Sequence, residues 1–258
     1  MIAALGRWGI GKARQYGYAL GFFYQVLKET FLLGRRKHVA RRVLVLQILF
    51  TGVEAMNIIA LVSLAIGAVI IVEGGTLLPR FGQTSLMYSI LIVVITRELG
   101  PILTAFIVTA RSGTAMAAEL GNMVVSHEIE AYISVGINPI SYLVAPRVLG
   151  ATIAVIALTI YFNVFGLFGS FLVSQLVKPV PFLEYFRALL TTIQPRDIIS
   201  TLVKSFVFGV IISTVATYQG FKVAGAVTEI PRAAIKAVGQ GFVLCVIADA
   251  VITLISYV

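Results

Sequence analysis

Long runs of apolar residues, separated by short charged segments, dominate the chain. Five runs of at least about 18 residues are uncharged or nearly so, at 51–72, 85–110, 148–177, 198–221 and 237–258. A helix needs about 20 such residues to cross roughly 30 Å of hydrocarbon. None of the runs shows the strict alternation expected of strands in a membrane barrel. The pattern predicts an all-α integral membrane protein, a single domain over residues 1–258 with five transmembrane helices.

The third run, 148–177, is longer than one crossing requires and contains no charged residue. A helix of this length must tilt, bend or protrude from the bilayer. Gly166 and Gly169 are candidate bend points, because glycine weakens a helix.

Residues 1–42 combine an apolar stripe with a high positive charge. The stripe has apolar side chains at steps of three and four residues, typical of one helix face. Its members are Tyr16, Leu20, Phe23, Leu27 and Phe31. We predict an amphipathic helix that lies on an anionic membrane surface, which also explains the basic residues without nucleic acid. Arg7, Lys12 and Arg14 interrupt the apolar region and disfavour a cleaved signal peptide.

The segment GRWGIGKA at 6–13 matches the spacing of a phosphate-binding loop except at its last position. Ala13 stands where that motif needs a Ser or Thr hydroxyl to hold magnesium. Five preceding residues are also too few to form the strand that leads into such a loop. We therefore expect no cofactor in this chain, with any ATP and its magnesium bound by another chain.

Composition and charge exclude a soluble protein and indicate an orientation. The chain is 59% hydrophobic and 12% charged, whereas soluble domains are about a quarter charged. The formal net charge of +9 is uneven: segments 1–42, 111–147 and 222–236 carry 14 of the 20 Lys and Arg residues, and the opposite side carries five. Lys and Arg concentrate in cytoplasmic loops. We expect a cytoplasmic N-terminus and, after five crossings, a C-terminus outside.

Two adjacent charges interrupt the second run, and charge at membrane depth is costly. Arg97 and Glu98 lie about half-way along it, close to Pro101. Neighbouring helical side chains point about 100° apart, so they cannot pair face to face unless the helix is broken or each has its own partner. Pro101 lacks a backbone donor, which predicts a kink or an interrupted helix. The two charges form either a polar station on a transport path or an internal pair that locks helix packing.

A third charge, Asp249, lies in the fifth run among apolar residues. Such a carboxyl group either faces a neighbouring helix or is protonated. A direct contact with substrate is the less favoured interpretation.

The longest predicted cytoplasmic connection, 111–147, contains a second group of polar residues. Ser126 is a partial N-cap, and Glu128 and Glu130 place negative charge in the first turn that would follow. We predict a short helix parallel to the membrane, which is either a docking surface for a soluble partner or a solvated loop. His127 has no His or Cys at ligand spacing, so no metal site is predicted.

Motifs of common hydrolases are missing: the sequence has no G-x-S-x-G and no H-E-x-x-H. Transport is therefore favoured over catalysis. Two alternatives stay open, an intramembrane enzyme that acts on lipids with Glu98 or Asp249 as acid or base, and a scaffold that anchors other subunits.

Several motifs, in order and spacing, resemble the MlaE/YrbE family of ABC-transporter permeases. They are RELGP at 97–101, ARSG at 110–113, AELGNM at 118–123, HEIEA at 127–131, NP at 138–139, APR at 145–147 and KSFVFG at 204–209, followed by Gly220. The family pattern is close to RELGP, GRxGxA, AELGxMxVTEQIDAL, DP and PR. The sequence departs from it at 126–132, where SHEIEAY replaces TEQIDAL.

The resemblance implies a homodimeric permease of the bacterial inner membrane that transports phospholipid between inner and outer membranes. It implies two cytoplasmic ATPase subunits, a ring of MCE-domain proteins outside and a small STAS-type accessory subunit. It also implies that 119–132 is a coupling helix gripped by the ATPase. The residues expected to dock are Glu119, Met123, His127, Glu128, Glu130 and Tyr132.

By the same resemblance, Arg97, Glu98 and Leu99 line a lipid cavity at the dimer interface. A lipid has apolar tails and one polar head group, so its cavity needs apolar walls and few polar groups. We expect Arg97 to contact a lipid phosphate, and Glu98 to orient Arg97 or to repel the wrong head group.

Overall fold

A computed structural model describes residues 2–33, 41–77, 86–177, 179 and 181–257. Within these ranges the chain is helical almost throughout and contains no β-strand. The α-helices are α1 (Ile2–Leu33), α2 (Arg41–Gly52), α3 (Met56–Leu77), α4 (Leu86–Leu91), α5 (Gly100–Val108), α6 (Thr114–Val125), α7 (Glu128–Ser134), α8 (Ala145–Val177), α9 (Phe182–Thr192), α10 (Pro195–Phe221) and α11 (Ile230–Tyr257). The predicted all-α architecture is confirmed.

Short stretches of wider or tighter helix join several of these elements. A 3-10 turn, Val53–Ala55, connects α2 to α3, and another, Val227–Glu229, precedes α11. π-Helical segments at Ile92–Leu99 and Thr109–Gly113 join α4, α5 and α6 into one continuous rod. A third π-helical segment, Ile140–Val144, leads into α8.

Five continuous helices in the described ranges are long and apolar enough to cross a bilayer, as predicted. They are Arg42–Thr76, Ser89–Val125, Ile140–Leu176, Pro195–Phe221 and Val227–Ser256. Their lengths of 27 to 37 residues exceed the roughly 20 that a crossing needs, so several extend past the hydrocarbon or tilt within it. The second helix continues beyond the expected end at 110 because a helix need not stop where it leaves the membrane.

Helix α10 lies in the middle of the bundle, where it packs against α6, α8 and α11, and α3 lies along α8. The main core contains Ile95, Val155, Phe162, Phe208 and Ile212. α11 leaves most of its apolar side chains exposed, among them Val243 and Leu254. An apolar outer surface of this kind suits contact with lipid tails or with another membrane-embedded chain.

Close contact between α3 and α8 depends on glycine. A Cβ atom on Gly67 would overlap the carbonyl oxygen of Gly166, and one on Gly169 would lie 2.8 Å from the Cα atom of Leu64. Small residues at membrane helix interfaces allow backbones to approach in this way. α8 is helical through both glycines, which allow it to pack closely against α3; a bend at these positions stays a prediction.

The amino-terminal helix α1 contacts the bundle through a face other than the predicted stripe. Phe22 and the buried Val26 pack against Val144 and Val148. The stripe residues Leu20, Phe23 and Phe31 are exposed, and they are available to lipid, as an interfacial helix requires. The side chain of Tyr16 and the basic residues Arg35, Arg36 and Lys37 lie outside the described residues.

Candidate functional site

Five charged side chains meet inside the bundle and form what we name the charged cluster. Its members are Arg97, Glu98, Asp197, Lys204 and Asp249. The first two belong to the π-helical segment before α5, the next two to α10 and the last to α11. The cluster thus joins three membrane-spanning helices.

Lys204 is the centre of the charged cluster and has no solvent exposure. Its Nζ atom lies 2.6 Å from Oε2 of Glu98 and 3.0 Å from Oδ1 of Asp249. The Thr253 hydroxyl donates a second hydrogen bond to Oε2 of Glu98, at 3.2 Å. A buried ammonium group is stable only with such partners, because transfer of an unpaired charge out of water is very costly.

Arg97 is also paired with a carboxylate of α10, that of Asp197. Its Nη1 atom lies 3.8 Å from Oδ1 of Asp197, and its Nε atom lies 3.7 Å from Oε1 of Glu98. Asp197 has a second role, since its Oδ2 atom accepts the backbone N–H of Gln194 in the capping box that starts α10. Each of the two adjacent charges thus has its own partner on α10, which is one of the two arrangements allowed by the sequence.

Pro101 does not interrupt the helix, so the predicted interruption is wrong, while the alternative of a kink stays a prediction. Pro101 lies in the first turn of α5, directly after the π-helical segment Ile92–Leu99. There the N–H of Gly100 bonds to the carbonyl oxygen of Ile95, five residues earlier. The π-helical hydrogen bonds just before Pro101 accommodate a residue without a backbone N–H, and the helix stays continuous.

The charged cluster lies towards one end of the helices that form it. Arg97 lies in the first quarter of the 37-residue helix Ser89–Val125. Asp197 is in the first turn of α10, and Asp249 is in the last third of α11. These three helix ends meet on the same side of the bundle.

Accessibility differs among the charged groups and changes their expected roles. The side chains of Glu98 and Asp249 are 29% and 21% exposed, whereas that of Arg97 is 5% exposed. Glu98 and Asp249 are therefore the more accessible members of the cluster, although Oε1 of Glu98 and Oδ1 of Asp249 are themselves buried. Leu99 is half-buried beside them. The charged cluster thus combines three carboxyl groups with two basic groups.

Asp197 and Lys204 were missed by the sequence analysis. Lys204 lies within the fourth apolar run, but it was counted among the five basic residues of the non-cytoplasmic side, which are Arg80, Lys178, Arg187, Arg196 and Lys204. The structure instead buries it within the bundle, on α10. The cost of charge at membrane depth, applied above to Arg97, gives a signal for Lys204 too. Asp197 gives no comparable signal, since it lies at the start of a span.

The residues predicted to contact an ATPase lie at the opposite end of the second membrane helix. Glu119 and the half-buried Met123 belong to α6, the last part of that helix. The Arg147 Nη2 atom donates to Oε1 of Glu119 at 2.6 Å and so ties α6 to the start of α8. These two predicted residues therefore lie beside the short helix α7 rather than on it.

The predicted coupling helix over 119–132 is divided in two. α6 ends at Val125, and α7 starts at Glu128, after His127 with a left-handed φ of 59°. The N-cap is His127 rather than Ser126, and it makes no side-chain capping bond. A positive φ is uncommon for any residue other than Gly, even for His, which is among the residues enriched there, so the sequence gives only a weak signal for the break.

α7 has the exposure expected of a docking element. None of its residues is buried, and its first turn carries Glu128 and Glu130. Oε2 of Glu130 lies 3.0 Å from Nδ1 of His127. The ring of Tyr132 packs against Tyr142 with centroids 5.4 Å apart, and holds α7 on the segment that leads into α8.

Comparison with known proteins identifies the family. The profile of the family Permease MlaE matches residues 44–255. The chain belongs to the MlaE permease family. It is thus the transmembrane permease subunit of an ABC-type transporter and a multi-pass membrane protein.

The described residues contain no group of three or more His, Cys, Asp or Glu side chains suited to a metal ion.

Three relatives illustrate the range of the family. A probable ABC transporter permease protein of Rickettsia prowazekii is 32% identical over 207 residues, 80% of both chains. The intermembrane phospholipid transport system permease protein MlaE of Haemophilus influenzae is 27% identical over 260 residues, 99% of this chain and 97% of the relative. The chloroplastic protein TRIGALACTOSYLDIACYLGLYCEROL 1 of Arabidopsis thaliana is 30% identical over 79% of this chain and 58% of the relative.

Substitution of Lys204 by Met tests whether this ammonium group holds the permease together. The change leaves Glu98 and Asp249 side by side without their cation, and removal of one partner from a buried ion pair costs about 3–5 kcal/mol. We expect a lower midpoint of thermal unfolding in detergent. The second substitution Asp249→Asn should restore much of the loss, and Lys28→Met, at an exposed lysine of α1, is the control. An unchanged midpoint for Lys204→Met would contradict a central role for this residue.

Proposed function

We propose that the permease forms part of an ATP-driven transporter that carries phospholipid between two membranes. The observation that carries this proposal is the charged cluster, a polar station enclosed by helices whose outer surfaces are apolar. Membership of the Permease MlaE family supports it. So does the near full-length likeness to a relative named as part of an intermembrane phospholipid transport system.

The exposed carboxylates suggest how a phospholipid head group is received. Glu98 and Asp249 would attract the ammonium group of a zwitterionic lipid, while Lys204 holds both carboxylates in place. A net negative cluster would repel an anionic head group. Arg97 positions Glu98 and the start of α10 rather than contacting lipid phosphate, because it is buried between carboxylates.

The partners that we propose occupy the two ends of the permease. A cytoplasmic ATPase docks on α7, and MCE-domain proteins continue the lipid path beyond the charged cluster at the other end. The exposed apolar face of α11 suits a second copy of the chain. Two copies, two ATPase subunits and an MCE ring form the proposed complex, in the inner membrane with a cytoplasmic N-terminus. A STAS-type subunit is an expectation from the family alone.

A transport assay on Glu98→Gln tests the role of the charged cluster. The substitution keeps the size of the side chain but removes the charge, and a hydrogen bond to a charged group is worth about 1.5–3 kcal/mol. We expect transfer of fluorescent phosphatidylethanolamine by the reconstituted complex to slow by about tenfold. The matched control is Glu184→Gln, at an exposed glutamate of α9. Normal transfer by a folded Glu98→Gln complex would show that the cluster is purely structural.

Coupling is tested by a proline in α7. Ala131→Pro removes the bond from the Ala131 N–H to the carbonyl oxygen of His127, 3.1 Å away, and the ring clashes with the preceding turn. We expect the co-purified ATPase to lose its stimulation by lipid while the membrane helices stay folded. Ala131→Ser, which keeps the N–H group, is the control. Full stimulation in the proline variant would contradict docking through α7.

A further inference from the structure

A basic cavity opens at the turn between α10 and α11, at the opposite end of α10 from the charged cluster. Its volume is about 390 Å³. The polar side chains that line it come from the end of α10, the turn and the first turns of α11. They are Gln219, Lys222, Glu229, Arg232, Lys236 and Gln240.

The charge of the basic cavity is not balanced from within. Three cations, Lys222, Arg232 and Lys236, face a single carboxylate, that of Glu229. Oε2 of Glu229 accepts the backbone N–H of Ala224 at 2.7 Å, which fixes it to the turn. In the described part of the chain, none of the three cations lies within 4.0 Å of a carboxylate oxygen. The positive end of the α11 dipole adds to this field.

An apolar groove of about 460 Å³ adjoins the basic cavity. It lies between α1 and the end of α10, with walls formed by Tyr18, Phe22, Tyr218 and Phe221. Its floor includes Gly17 and Gly21, and a Cβ atom on either would meet nothing within 4 Å. These glycines thus leave open space along α1.

Lys222 connects the two spaces. It lines both the basic cavity and the apolar groove, and its Nζ atom lies 5.3 Å from the ring centroid of Tyr218. The ammonium group therefore sits at the boundary between a polar and an apolar compartment. An amphiphile with an anionic head and an apolar tail is complementary to this arrangement.

We propose that this combined site binds an anionic phospholipid, with the head-group phosphate in the basic cavity and an acyl chain in the groove beside α1. Basic pockets between membrane helices are suited to anionic head groups. A soluble phosphate would use the cavity but gain nothing from the groove. The site is separate from the charged cluster, whose carboxylates repel anions, so it does not depend on the proposed transport role. Bound lipid would fasten α1 to α10.

Binding of dioleoylphosphatidylglycerol to the full-length protein in detergent, measured by native mass spectrometry, tests this proposal. We expect it to bind more tightly than dioleoylphosphatidylcholine. Arg232→Gln and Lys236→Gln should each weaken phosphatidylglycerol binding about fivefold, since one basic residue near a lipid surface contributes about that factor. Arg187→Gln, at an exposed arginine of α9 near the other end of the bundle, should leave it unchanged.

The groove is tested by Gly21→Leu, which fills the space beside Phe22. We expect it to weaken binding of phosphatidylglycerol without changing that of glycerol 3-phosphate, which has no acyl chain. The matched control is Gly75→Leu, a substitution into open space on α3. Helix content and the midpoint of thermal unfolding are measured for all variants. The substitutions of the exposed Arg232 and Lys236 test the site even if Gly21→Leu displaces α1.

Three results would overturn the proposal. Equal affinity for phosphatidylglycerol and phosphatidylcholine would show that the cations select no head group. Binding of glycerol 3-phosphate as tight as that of the lipid, with no effect of Gly21→Leu on either, would show a site for soluble phosphates. Loss of a co-purified protein from the Arg232→Gln and Lys236→Gln variants, with phosphatidylglycerol binding unchanged, would assign the cavity to protein docking.

Discussion

The fold depends on the pairing of one buried ammonium group, that of Lys204, with two carboxylates from other helices. An unpaired charge in hydrocarbon is costly, so the chain is held to an arrangement in which α10, α11 and the π-helical segment before α5 converge. Glu98 and Asp249 satisfy Lys204, and Asp197 satisfies Arg97. Lipid tails give little hydrophobic driving force for helices to associate. Dispersion contacts, and close approach of backbones at glycine residues, therefore hold the helices together between the charged groups.

The two ends of the bundle have opposite electrostatic character. At one end the charged cluster exposes carboxylates among apolar walls. At the other, Lys222 after α10 and Arg232 and Lys236 in α11 have no carboxylate oxygen within 4.0 Å among the described residues, and no residue of α7 is buried. α10 connects the two, since Lys204 lies in it and Lys222 follows it. α6, which precedes α7, packs against α10 and so connects the two ends of the bundle.

Periodicity and hydropathy predicted the class of fold well, because the bilayer constrains composition and length over whole helices. The five membrane helices and the importance of the charges at 97 and 98 follow from such local information. The features that the sequence did not predict are contacts between residues far apart in the chain and local backbone conformations. Lys204 pairs with a residue 106 positions away, and no local pattern shows that contact. The sequence around Gly166 also gives no sign of the backbone that approaches it, because Gly67 belongs to another helix.

The most direct test of a transporter permease is to purify the tagged chain from its own membranes in a mild detergent, and to identify the bound proteins and lipids by mass spectrometry. The account predicts an ABC-type ATPase, an MCE-domain protein and tightly held phospholipid. A chain that retains phospholipid but no ATPase would lack an energy source, and this result would contradict ATP-driven transport.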